Sequence, residues 1–84
     1  MKEDILRVQN EALVAISAAE DARALDEARV ASLGKKGALT ALSMGMKDVP
    51  KEQKGEVGAL LNAARTEITA ALEQKQQALE EAAD

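Results

Sequence analysis

The sequence predicts an all-α protein, an elongated antiparallel helical hairpin or coiled-coil arm with a short helix or turn at its tip. Apolar residues recur at intervals of three, four and seven, the spacing that places side chains on one helical face. The 84 residues include no Phe, Tyr or Trp, so Leu, Ile, Val, Met and Ala must pack along a narrow seam. A chain this short is expected to form one domain, residues 1–84.

The first helix is predicted over about residues 3–19, where several apolar side chains recur at helical spacing. These are Ile5, Leu6, Ala12, Leu13, Ile16 and Ala19, with Leu6, Leu13 and Ile16 at the centre of the face. Ser17–Glu20 has the form of a capping box, and Asp21 could equally serve as an N-cap. Two interpretations therefore stay open, a break between two helices near this point and a single continuous helix.

The second helix is predicted over residues 22–33. Its packed side carries Leu25, Ala28 and Ser32, with Val30 and Leu33 nearby. Gly34 is expected to close this helix at position C′, in the left-handed conformation that glycine adopts most easily. A short helix over about residues 38–46 is then expected to fold back over the end of the seam.

The long last helix is predicted over about residues 50–83, with Pro50 at its first helical position. Its buried stripe is Val57, Leu60, Leu61, Ala64, Ile68, Ala71, Leu72 and Leu79. Lys75 falls on this stripe and is expected to lie along it with its ammonium group reaching water. Gly58 is expected to mark a close approach of two backbones. Asn62 is expected either to fix the register of the hairpin as a buried amide or to contact RNA.

Positive charge is concentrated in the middle of an acidic chain that has 11 basic and 15 acidic residues. Residues 29–54 contain six basic and two acidic residues, whereas the segments on both sides are acidic. The six basic residues are Arg29, Lys35, Lys36, Lys47, Lys51 and Lys54. We expect them to gather at the tip of a slender rod with an acidic shaft and to bind a polyanion there.

Composition removes several classes of chemistry, because the chain has no Cys and no His. Disulfides, thiol nucleophiles, the usual zinc ligand sets and the commonest general base are therefore absent. We expect no catalytic residue, no metal site and no cofactor in these residues. The acidic start, Met1–Asp4, does not resemble a secretory segment, and no run of about 18 apolar residues is present. A soluble, cytoplasmic chain is expected.

The segment Gly34–Gly37 invites three functional interpretations. A Walker phosphate loop needs four residues between its glycines and a hydroxyl after the lysine, and this segment has neither. A GXXG loop of the KH type needs a sheet, for which the sequence gives no signal. The third interpretation is that Lys35, Lys36 and the amides of the following helix start bind phosphate. Alternatively, the glycines only shape the turn and the lysines are solvated.

Two blocks of sequence carry a family resemblance. Arg29–Val30 precedes Leu33-Gly34-Lys35-Lys36-Gly37-Ala38-Leu39-Thr40, and Lys54-Gly55-Glu56-Val57-Gly58-Ala59-Leu60-Leu61-Asn62 follows about fifteen residues later. Together they resemble the N-terminal domain of the bacterial-type phenylalanyl-tRNA synthetase alpha subunit. The resemblance extends from about Leu13 to Leu79.

The resemblance implies a tRNA-binding arm that helps to position tRNA(Phe) for aminoacylation by a heterotetramer of two alpha and two beta subunits. The six basic residues would contact the tRNA, while Gly34 and Gly37 would form the turn. ATP and magnesium would serve the catalytic module of the full enzyme, which lies beyond residue 84 in such proteins. The alternative function is a structural hairpin for protein association or subunit assembly, and the isolated fragment is expected to be capable of self-association.

Overall fold

The computed structural model describes residues 2–83, so Met1 and Asp84 of the predicted domain lie outside the described residues. The helices are α1 (Lys2–Ala18), α2 (Ala22–Leu33), α3 (Ala38–Met44) and α4 (Lys51–Ala83), with a 3₁₀ turn (Gly45–Asp48) after α3. The molecule measures 50 × 19 × 16 Å. The prediction of an elongated all-α protein is confirmed. No helix within residues 2–83 is long and apolar enough to cross a membrane.

Two polar contacts show that α1 lies alongside α4 and runs in the same direction. Near the start of α1, the Lys2 ammonium lies 2.6 Å from the Glu56 carboxylate. At its other end, the Lys75 ammonium donates a hydrogen bond to the Ser17 carbonyl, 3.1 Å away. The half-buried Lys75 stem lies on the packed stripe as expected. Its charged group stabilises the C-terminal end of α1, where carbonyl groups lack helical partners.

The antiparallel partner of α4 is a descending leg made of α2, α3 and the 3₁₀ turn. The start of α2 shares a groove with Leu72, Gln76 and Leu79, in the C-terminal half of α4. The lower end of the leg places Met46 against Gly58, near the start of α4. The hairpin therefore consists of the descending leg and α4, and α1 is a third helix packed beside them.

The buried residues of α2 and α4 lie on the faces that their apolar spacing predicts. From α4 these are Val57, Leu61, Ala64, Ile68 and Leu72, and from α2 they are Leu25, Ala28 and Ser32. For α1 the predicted face is wrong in part: Ile16 is buried as expected, but the Leu6 side chain is 51% exposed while Ile5 is fully buried. Successive side chains point about 100° apart around a helix. Because α1 packs against α4, the side of α1 that carries Ile5, Ala12 and Ile16 is the buried one.

The chain breaks between α1 and α2, and the continuous-helix interpretation is wrong. Asp21 is the N-cap of α2 in an extended conformation, and its side chain accepts a hydrogen bond from the Ala24 amide at 2.8 Å. Ser17 lies inside α1 and does not cap α2. An aspartate at this position satisfies an amide that has no helical partner, which fixes where α2 starts.

The connection into α4 differs in detail from the prediction. The third helix ends at Met44 and the chain tightens into the 3₁₀ turn, instead of remaining α-helical to residue 46. Pro50 lies one residue before α4, and its carbonyl accepts from the Lys54 amide at 3.1 Å. Pro50 is therefore the N-cap residue and not the first helical residue. The buried Val49 side chain anchors this connection to the core.

The glycines of α4 do not mark a close approach of two backbones, so that prediction for Gly58 is wrong. A Cβ atom placed on Gly58 would meet only the Met46 side chain, at 3.4 Å. One placed on Gly55 would meet nothing within 4 Å. Neither glycine is required by packing in this part of the chain, and both lower the helix propensity of α4.

Gly55→Ala is expected to raise the free energy of unfolding by about 1 kcal/mol, because alanine favours helix and no atom occupies the space its methyl group needs. For a domain of this size the gain corresponds to roughly 4–8 °C in Tm. Thermal unfolding followed by circular dichroism measures it. The matched control is Ala63→Gly at an exposed position of α4, which is expected to shift Tm downward by a similar amount. A lower Tm for Gly55→Ala would contradict the prediction.

Candidate nucleic-acid interface

The turn between α2 and α3 begins at Gly34, which is not left-handed as predicted. Its φ and ψ angles are −68° and 173°, an extended conformation, and its amide donates to the Val30 carbonyl at 3.1 Å. The helical hydrogen bonding of α2 is thus completed before the chain straightens. A Cβ on Gly34 would lie 2.6 Å from that same carbonyl oxygen. Close approach, and not handedness, accounts for glycine here.

Gly37 closes the turn from the other side. Its amide donates to the Gly34 carbonyl at 2.8 Å. Gly37 is buried, and a Cβ on it would lie 2.6 Å from the carbonyl carbon and oxygen of Ser32. The Ser32 hydroxyl is itself occupied, since it donates to the Ala28 carbonyl at 2.9 Å. The turn is therefore packed directly on the end of α2.

Lys35 and Lys36 are both exposed at this turn, and we call them the turn lysines. The chain on either side of them is anchored. Leu39 is 1% exposed, and the Thr40 hydroxyl donates a long hydrogen bond of 3.5 Å to the Leu33 carbonyl. The two ammonium groups are thus carried on a segment whose backbone is held by the core.

Lys47, Lys51 and Lys54 are exposed around the tip, which we define as residues 45–54, and we call them the tip lysines. Lys47 belongs to the 3₁₀ turn, and the other two lie in the first turn of α4. Residues three apart on a helix share a face. Lys51 and Lys54 therefore form a patch on α4 next to Lys47.

The turn lysines and the tip lysines lie on either side of α3. This helix has seven residues and is about 10 Å long. Including the connections, the backbone path from Lys36 to Lys47 spans at most roughly 22 Å. That is less than half of the 50 Å length of the molecule. The two groups therefore lie near each other, in the same part of the molecule.

Arg29 lies apart from the turn lysines and the tip lysines, on α2. Its guanidinium group pairs with the Asp26 carboxylate, three residues earlier on the same face of α2. Arg29 also lines the groove between α2 and α4 with Leu72 and Gln76. It therefore belongs to the shaft of the arm, where an acidic neighbour offsets its charge.

Ion pairing distinguishes the shaft from the basic clusters. Within residues 2–83, the pairs are Lys2–Glu56, Arg7–Asp4, Arg23–Glu27 and Arg29–Asp26. In this part of the chain none of the five turn and tip lysines belongs to an ion pair. Exposed pairs add little stability, but they reduce the charge available to a ligand. The exposed and unpaired positive charge of residues 2–83 thus comes from the five lysines and Arg65.

A groove runs beside the tip, between the end of the descending leg and α4. Six of the residues that line it are Ser43, Met46, Gly55, Gly58, Asn62 and Arg65. Asn62 is exposed, so its predicted role as a buried register-fixing amide is wrong. The backbone carbonyl of Asn62 accepts a hydrogen bond from the Thr66 hydroxyl at 2.9 Å. We call this feature the tip groove.

Sequence reasoning overlooked Arg65, although a signal for it was present. Arg65 lies eleven residues after Lys54 and fourteen after Lys51, spacings that return to the same face of an α-helix. It is also one of only two basic residues after residue 54. Helical position, added to the charge count, would have placed it with the tip lysines.

The described residues offer no arrangement for metal chemistry. Within residues 2–83, no three His, Cys, Asp or Glu side chains come together in a way that could hold a metal ion. The features of the interface are instead exposed cations, a rigid turn and a groove. Such an arrangement can bind an anionic polymer through its phosphates.

Comparison with known proteins gives matches over nearly the whole chain. The family described as "Aminoacyl tRNA synthetase class II, N-terminal domain" matches residues 20–84. The phenylalanine–tRNA ligase alpha subunit of Oceanobacillus iheyensis is 40% identical over 83 residues, which are 99% of this chain and 24% of that protein. The corresponding subunit of Lysinibacillus sphaericus is 46% identical, with the same coverage of both chains.

A third relative, the phenylalanine–tRNA ligase alpha subunit of Geobacillus thermodenitrificans, is 47% identical over 81 residues. These residues cover 96% of this chain and 24% of the relative. The chain therefore spans about a quarter of the length of these relatives.

Proposed function

The chain belongs to the family of class II aminoacyl tRNA synthetase N-terminal domains, and from this membership we propose that it is the tRNA-binding arm of a phenylalanine–tRNA ligase alpha subunit. The arm helps to position tRNA(Phe) for ATP-dependent aminoacylation by the full enzyme. One observation supports this most directly. The five turn and tip lysines are exposed and belong to no ion pair within residues 2–83.

The charge distribution favours RNA binding at one part of the arm. Lysine ammonium groups bind phosphate oxygens, and each phosphate neutralised releases counterions. The acidic residues of the shaft repel RNA and oppose binding along the rest of the surface. Lys35, Lys36, Lys47, Lys51 and Lys54 are therefore the proposed contacts. Arg29 is left out because Asp26 partly offsets its charge.

The remaining partners belong to the full-length protein. By analogy with the named relatives, we propose that the alpha subunit assembles with a beta subunit as two alpha and two beta chains in the cytoplasm. ATP and magnesium would act in the other three quarters of the alpha subunit. The catalytic steps are likewise proposed for that part of the alpha subunit.

Charge reversal in the full enzyme tests the proposal. Lys51→Glu with Lys54→Glu, and separately Lys35→Glu with Lys36→Glu, are expected to raise KM for tRNA at least tenfold. Amino-acid activation, measured as pyrophosphate exchange, is expected to be unchanged. The slope of log K against log salt should become less negative by about 1–2, because up to two phosphate contacts are lost.

The matched control is Arg7→Glu with Arg23→Glu, which changes net charge equally at exposed shaft positions. Its KM for tRNA is expected to stay within twofold of the parent enzyme. If the lysine variants lost amino-acid activation and aminoacylation in the same proportion, the arm would instead stabilise the catalytic part of the enzyme. If the lysine variants and the control raised KM for tRNA equally, binding would depend on the net charge of the chain and not on these particular lysines.

Protein docking is the second candidate function, and the groove between α2 and α4 favours it. Leu25, Leu72 and Leu79 line this groove, with Asp21 and Glu80 among its other residues. An apolar groove with acidic neighbours suits a basic amphipathic segment of another chain or subunit. Sedimentation with and without tRNA separates the two functions. Salt-insensitive self-association without RNA binding at low salt would support the structural role.

A further inference from the structure

We infer that the tip groove receives one unstacked nucleotide of the bound RNA, with Asn62 hydrogen-bonded to the base and Arg65 near a flanking phosphate. The inference rests on the proposed function and extends it. The five lysines account for attraction to phosphate at any sequence, whereas a groove with an amide inside it can recognise a base.

The first observation is the open space of the groove. A Cβ at Gly55 would meet nothing within 4 Å, and one at Gly58 would meet only the terminal methyl group of Met46. The fold therefore does not use the absence of side chains at these two positions, although glycine disfavours a helix interior. What the glycines do provide is a recess on the surface of α4, directly after the tip lysines.

The second observation is the position of the cations around that recess. Lys51 and Lys54 lie at its N-terminal end and Arg65 beyond its C-terminal end, all on one side of α4. From Lys54 to Arg65 the helix rises about 16 Å. None of the three belongs to an ion pair within residues 2–83. A strand laid along the groove would thus find a cation near each end.

The third observation is the chemistry inside the groove. Within the described part of the chain, the side-chain amide of Asn62 makes no hydrogen bond, and only its backbone carbonyl is engaged. An amide carries both a donor and an acceptor and can pair with two atoms of a base edge. The polarizable Met46 side chain lines the same groove and supplies an apolar surface.

These features favour a nucleotide over a protein helix as the occupant. A helix docking in a groove presents an apolar stripe and requires an apolar floor along its length. The tip groove instead combines a small apolar surface with an amide and with cations near both ends. This combination matches a short single-stranded segment that places one base in the groove and phosphates on both sides of it.

The test fills the recess without damaging the fold. Gly55→Leu in the full-length protein adds a side chain where there is open space, and Ala63→Leu adds the same side chain at an exposed position of α4 outside the groove. Gly55→Leu is expected to weaken tRNA binding at least fivefold, with the salt slope unchanged. Ala63→Leu is expected to bind as the parent does. Asn62→Leu, which removes the amide, should also weaken binding.

A set of tRNA transcripts, each with a single abasic site, identifies the nucleotide. One abasic position is expected to weaken binding to the parent protein at least fivefold and to have no effect on Gly55→Leu. Parent-like binding by Gly55→Leu would overturn the inference. So would loss of subunit assembly with tRNA binding intact, because the groove would then hold a protein.

The two proposals fail in different ways. If charge reversal at the lysines weakens binding and Gly55→Leu does not, the groove inference is wrong and the arm still binds RNA. If neither change affects binding, the RNA-binding arm itself is excluded.

Discussion

Ile5→Ala is expected to lower the free energy of unfolding of the 84-residue chain by about 2–4 kcal/mol. The Ile5 side chain is completely buried against the core, and removing it leaves a cavity in addition to the lost transfer energy. A chain of this length has a total stability of roughly 4–13 kcal/mol, so the loss is a large share. Urea unfolding followed by circular dichroism measures it from the midpoint at constant m value.

The neighbouring residue supplies the control. Leu6→Ala removes a side chain of the same size at a position that is 51% exposed, and its expected cost is below about 1 kcal/mol. The pair compares the two candidate faces of α1 directly. A larger loss for Leu6 than for Ile5 would mean that α1 packs on α4 through the face that the apolar pattern first indicated.

Gly37→Ala is expected to destabilise the chain by about 1–3 kcal/mol and to weaken RNA binding as well. The new methyl group would lie 2.6 Å from backbone atoms of Ser32, so α2 or the turn must shift. A shift of the turn would displace Lys35 and Lys36, which immediately precede Gly37. Urea unfolding and a tRNA titration of the folded variant measure the two effects separately.

Gly55→Ala is the matched control for stability only, because it makes the same change at a glycine with open space around it. The two variants are expected to shift stability in opposite directions. A Gly37→Ala protein as stable as the parent would show that the turn is loosely packed. The proposed presentation of the turn lysines by a rigid backbone would then be wrong.

Periodicity identified the packed faces of α2 and α4 because each has only one apolar stripe. In α1, apolar residues occupy adjacent positions, as at Ile5 and Leu6, and two overlapping stripes satisfy the same spacing. Only the neighbouring helix decides between them. The parallel placement of α1 beside α4 is likewise a tertiary feature, visible in the Lys2–Glu56 pair and not in local sequence.

For the candidate interface, charge counting grouped Arg29 with the five lysines, whereas the structure pairs Arg29 with Asp26. The acidic residue three positions before it was visible in the sequence, and including such pairs would have separated Arg29 from the others. The conformation of Gly34 could not be predicted from the sequence. Glycine suits both a left-handed residue and a close backbone contact, and only the packing of the turn on α2 shows that the second applies.

The unbroken α4 also sets how motion at one end reaches the other. It runs from Lys51 at the tip to Ala83, along a molecule 50 Å long. A helix without a proline or bulge transmits a rotation as a stiff lever. A tilt of about 10° about the Ala83 end would sweep the tip lysines through about 9 Å.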